Sequence, residues 1–145
     1  MKKFSFPLSR VMDWRATQAR IEESKLELLY AERLGIEARE AALQQERVAA
    51  DQSVLAARAA TGAELAALGG FRRFTVAEHT RLEKLRADCS RRITAQIQVV
   101  TLKRRDVRLL ERLKQQKLII WNHELSREID LQADEAYLAR WKSRR

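Results

Sequence analysis

Only one proline and four glycines punctuate the 145 residues of this chain. Proline removes a backbone donor and glycine supplies left-handed conformations, so a chain nearly without them has few ways to leave a helix. Pro7 sits in Ser5-Phe6-Pro7-Leu8, where its missing N–H suits the first turn of a helix. From Leu8 onward there is no further proline, and Gly69-Gly70 can take positive φ, so helix one is predicted over about 8–68. Thr75-Val76-Ala77-Glu78 then has the spacing of a capping box, which predicts a turn over 69–75 and helix two over about 76–141. At about 1.5 Å per residue the helices would be roughly 90 and 100 Å long, similar enough for one to lie along the other. The expected fold is all-α, two long helices in an antiparallel coiled-coil hairpin, with residues 1–145 as one domain and a monomeric rod as the shape.

Composition agrees. Charged residues make up 34% and aromatics only 6%, the makeup of a solvated helix pair rather than a thick core. The single Cys89 cannot form an internal disulfide, which fits a reducing compartment. Met1-Lys2-Lys3 resembles the start of a signal peptide, but Arg10 and Asp13 break the apolar stretch that would have to follow, so no export signal is expected. No uncharged apolar run approaches the roughly 18–20 residues that span a bilayer. A cytoplasmic location without direct membrane insertion is therefore expected.

Heptad spacing identifies a seam on helix two. Ile93, Val100, Val107 and Trp121 recur at sevens with Lys114 in the gap, and Leu82, Cys89 and Leu110 form the partner row, interrupted by Gln96 and Lys103. Helix one offers two rows on different faces, Leu34, Ala41, Val48, Leu55 and Leu29, Ile36, Leu43, Ala50, Ala57, and periodicity does not choose between them. The remaining row is either solvated or a surface for another protein.

A turn centred near residue 72 would set residue i against roughly 144 minus i. That mapping places the basic stretch from Lys103 to Lys117 against Glu27, Glu32, Glu37 and Glu40, the alanines of 56–67 against Leu82, Leu85 and Cys89, and Phe4 and Phe6 against Tyr137, Leu138 and Trp141. The formal +9 lies wholly in residues 71–145, which hold 19 basic against 10 acidic side chains, while residues 1–70 hold 10 of each. Part of the basic run is then expected to be structural, through flanking pairs across the hairpin.

The spacings that carry chemistry are absent. His79 and His123 lie 44 residues apart, the lone cysteine has no ligand-spaced companion, and no phosphate-cradling glycine loop occurs. A two-helix hairpin also offers no concave pocket in which to exclude water. No enzymatic activity, metal or cofactor is expected. Nucleic acid is not the expected partner either: the bases are interleaved with Val107, Leu109, Leu110 and Leu113, and no aromatic stacking platform accompanies them. Acidic proteins are the preferred class.

The opening Phe4-Ser5-Phe6-Pro7-Leu8-Ser9-Arg10-Val11-Met12-Asp13-Trp14-Arg15 resembles the N-terminal F-x-F-x-L-x-x-V-L pattern of the flagellar FliJ family. The resemblance continues through Phe74 to Leu85, Leu110-Glu111-Arg112-Leu113-Lys114, and the closing Glu128 to Arg140 stretch with Asp134-Glu135-Ala136. It implies a non-enzymatic component of the flagellar type III protein export apparatus, peripheral at the inner membrane. Such proteins are similar to the stalk of rotary ATPases: the end with both termini enters the ring of the export ATPase hexamer, and the body reaches the export gate membrane protein. Family members also escort export chaperones. Carried onto this chain, the ATPase-binding tip is Phe4, Phe6, Leu8, Arg10, Trp14, Leu138 and Trp141, and the gate-binding surface is His79 and Leu82. Glu78 and His79 depart from the aromatic or large apolar residue expected there. The alternatives are the equivalent stalk of a virulence-type injectisome and a general coiled-coil adaptor for acidic proteins or RNA.

Overall fold

A computed structural model describes residues 3–144. The chain is all-α: α1 spans Ser9–Ala56, residues 57–61 form the connection, and α2 spans Gly62–Ser143. The two helices pack against each other as an antiparallel hairpin. They contribute to two compact units, one of residues 1–20 with 101–145 and the other of residues 21–100.

Helix one begins where Pro7 predicts, with the Ser9 amide donating to the Phe6 carbonyl at 3.1 Å and the Met12 amide to that of Leu8 at 2.9 Å. The turn lies elsewhere than expected. Helix one ends at Ala56 rather than 68, the connection is 57–61 rather than 69–75, and helix two starts at Gly62 rather than 76. The physical reason is a second T-x-x-E spacing. The Thr61 amide donates to Glu64 Oε2 at 2.8 Å and the Glu64 amide to Thr61 Oγ1 at 3.2 Å, a reciprocal capping box that satisfies donors which no earlier carbonyl can reach. Thr75, by contrast, is buried in the interior of α2, its hydroxyl donating back to the Arg72 carbonyl at 2.8 Å, and Glu78 accepts from Arg81. Gly69 and Gly70 lie within α2, and no described glycine has positive φ. Propagating one more helical residue adds a hydrogen bond, and the roughly 1 kcal/mol that each glycine costs is smaller than the gain from carrying the Leu68, Phe71, Thr75 and Leu82 seam onto α1.

Moving the turn moves the register. In the unit of residues 21–100, Arg72 pairs with Asp51 at 2.8 Å, Arg86 with Glu40 at 3.3 Å, and Arg92 with Glu32. In the other unit Arg15 pairs with Asp106 at 3.5 Å, and the Phe4 ring lies 5.9 Å from that of Trp121. Partner numbers in these pairs sum to 121–126, and those of Gln96 with Glu22 and Cys89 with Leu29 to 118, not 144. The acids expected to face the basic stretch therefore lie elsewhere: Glu32 and Glu40 are taken by Arg92 and Arg86, and Glu37 accepts from Arg33 in its own helix. The alanines of 56–67 fall in and around the turn instead of opposite Leu82 and Cys89.

The seam on α2 is the expected one, with Leu82, Cys89, Ile93 and Val100 buried. On α1 the inward row is Leu29, Ile36, Leu43 and Ala50, half-buried or buried, whereas Leu34 and Leu55 point outward at 67% and 84% exposed. Gln96 is not a flaw in the seam: its Nε2 donates to the Glu22 carbonyl at 2.9 Å and to Glu22 Oε2 at 2.7 Å, binding the two helices at one register. The Cys89 thiol, fully buried, lies 3.4 Å from the Leu29 carbonyl and acts as a small core residue with a weak donor.

Candidate functional site

In the unit that holds both chain ends, the N-terminal segment folds onto α2. Phe6 is buried at 7% exposure, and Phe4 packs on Trp121 with an interplanar angle of 59°, the tilted geometry aromatic pairs favour. Leu8, Arg10 and Trp14 are exposed, and Arg15 lies over the Trp14 ring at 5.1 Å, a cation–π contact.

Leu138 and Trp141 do not share this location. Phe4 meets α2 at Trp121, and Trp141 is twenty residues further on, about 30 Å along a helix. Past Trp121, α2 runs another 22 residues to Ser143, and of these only Leu125 is even half-buried. Leu138 and Trp141 are 54% and 49% exposed. The expected tip thus divides into a docked group, Phe4 with Phe6, and an extended helical arm carrying Leu138 and Trp141. The shift of register by about twenty residues accounts for the division.

The two gate-binding candidates also separate. Leu82 is buried at 3% exposure in the seam, so its side chain is a packing element and not a contact surface. His79 is exposed, with Nδ1 3.6 Å from Glu83 Oε1 one turn on, and it borders a groove of about 180 Å³ lined also by Leu43, Gln44, Arg47 and Val76. Beside it the Arg81 guanidinium, donating to Glu78, holds that carboxyl below its ordinary pKa.

The charge distribution was not legible before the register was known. Residues 21–100 carry 12 basic and 12 acidic side chains, so their unit is neutral; residues 1–20 with 101–145 carry 17 basic and 8 acidic, the whole of the +9. Residues 121–145 hold five of each, so the excess sits in 1–20 and 101–120, with 12 basic against 3 acidic. Among the described residues no group of three or more His, Cys, Asp or Glu is arranged to hold a metal ion, and no helix is long and apolar enough to cross a membrane. Comparisons with known protein families, curated proteins and solved structures find no match to this chain.

Proposed function

We propose that this chain is a non-enzymatic stalk of a flagellar type III export apparatus, seated in the ring of the export ATPase and linking it to the membrane export gate, with export chaperones as passengers. The observation that carries the reading is the arm of α2: past Trp121, residues 122–143 run on as a helix exposed apart from half-buried Leu125, with Leu138, Trp141, Arg140 and Lys142 near its end, in a chain whose opening resembles the FliJ family. A ring lumen is a place where such a helix could bury Leu138 and Trp141. Leu8, Arg10 and Trp14 supply exposed apolar and cationic contacts, a combination that concentrates energy in interfaces. Phe4 and Phe6 act as positioning residues that hold the N-terminal segment on α2. His79 and its groove remain as the gate-facing candidate.

Mixing the purified protein with the export ATPase is the test. Ring assembly and ATP hydrolysis should both rise, and Leu138→Ala with Trp141→Ala should abolish the rise with helicity unchanged. No stimulation by the wild-type chain would remove the stalk reading. The concentration of +9 in 40 residues favours, as the second reading, an adaptor for acidic proteins.

A further inference from the structure

The basic stretch on α2 carries more than charge. Leu102, Leu109, Leu113 and Ile120 repeat at a and d positions of a heptad, on a face of α2 that adjoins the seam packed on α1; Leu113 is half-buried, and Leu102, Leu109 and Ile120 are 54%, 54% and 52% exposed. The positions that flank such a seam, e and g, are Lys103, Arg105, Leu110, Arg112, Lys117 and Ile119, four of the six basic and none acidic. Asp106 and Gln116 occupy the intervening core positions, and Asp106 is turned to Arg15 of α1. Flanking charges choose the partner in helix pairing, because like charges across the seam repel. A second copy would set these bases against their own kind. The register sets Glu40 and Glu32 against Arg86 and Arg92 rather than against this stretch.

We infer that residues 102–120 of α2 form a docking seam for an amphipathic helix of a partner protein with leucine-like residues in its core row and Glu or Asp on its flanks. Five turns of helix, about 27 Å, are available. The apolar row argues against nucleic acid, which would leave the leucines against phosphates, and the two bases on each side of that row are what acidic flanks on a second helix would meet. The inference stands apart from the export reading, since it needs neither the ATPase nor the gate.

The probe is a synthetic 21-residue helix with Leu and Ile at a and d and Glu at e and g, titrated against the full chain. Three controls accompany it: the same peptide with Lys at e and g, a Glu-rich peptide of identical composition with its heptads scrambled, and a 20-nucleotide single-stranded DNA; vesicles of phosphatidylglycerol in phosphatidylcholine form a fourth arm. The Glu-flanked helix should bind, more weakly at higher salt, and the Lys-flanked and scrambled peptides should not. The exposed double variant Arg105→Glu, Arg112→Glu should lose about tenfold for the Glu-flanked peptide and gain for the Lys-flanked one, as expected when two flanking pairs change sign. Leu109→Gln should weaken binding without changing the melting temperature. Equal or tighter binding of the scrambled peptide, the DNA or the vesicles would overturn the assignment, as would no binding of the Glu-flanked helix or a double variant that binds both peptides like wild type.

Discussion

Phe6 and Trp141 were both candidates for the same tip, and the structure gives them different physics. Phe6 loses nearly all contact with water, so Phe6→Ala should cost up to about 3 kcal/mol by vacating buried volume, read as a lower midpoint in urea. Trp141→Ala should leave that midpoint within about 0.5 kcal/mol of wild type, because an exposed side chain on the arm holds no core together. A midpoint that moves equally in both variants would contradict the division. Glu78 provides a pH test. Its carboxyl is held below the ordinary 4.5 by the hydrogen bond from Arg81, so the pair's stabilisation is present above pH 4.5 and is lost as the pH falls through the lowered value. Relative to Glu78→Gln, the wild type should be more stable at pH 7 and should lose that advantage in acid; a difference independent of pH would show that the pair carries no linkage.

At the scale of the helix, two T-x-x-E boxes and one glycine pair competed to set the turn, and they make opposite predictions. Thr61→Ala with Glu64→Ala should cost about 1 kcal/mol, since both halves of the working cap are removed. Gly69→Ala with Gly70→Ala should stabilise by about 1 kcal/mol or more: a Cβ at either position meets nothing within 4 Å, and alanine reduces the freedom of the unfolded chain. Melting temperatures should fall for the first pair and rise for the second. The reverse order would return the turn to 69–75. Seam residues on α2 were legible over 82–100, where Leu82, Cys89, Ile93 and Val100 keep the heptad spacing. On α1 two rows were equally spaced, and only contact with Leu82, Cys89 and Ile93 distinguishes the buried Leu43 row from the exposed Leu34 row.

Over the whole chain, charge separates: one unit is neutral by internal pairing, and the other holds +9. Repulsion within residues 1–20 and 101–120 should make stability rise with salt, because screening at about 0.15 M shortens the reach of charges to roughly 8 Å. The thermal midpoint should be higher at 300 mM than at 20 mM NaCl, and Arg105→Glu with Arg112→Glu should reduce that slope. A midpoint that falls with salt would mean that attractive pairs dominate there. The sequence by itself determined that the chain is helical, that it folds back once, where helix one begins, and which residues of α2 line the seam, since scarcity of breakers and heptad spacing are local properties. Which of two caps makes the turn is a contest between nearly equal local energies, each about 1 kcal/mol, and tertiary packing decides it. That one choice moved every cross-helix partner by about twenty residues. It separated Phe4 from Trp141, gave Glu32 and Glu40 to Arg92 and Arg86, and left the basic face of 102–120 without the acids that a later turn would have set against it.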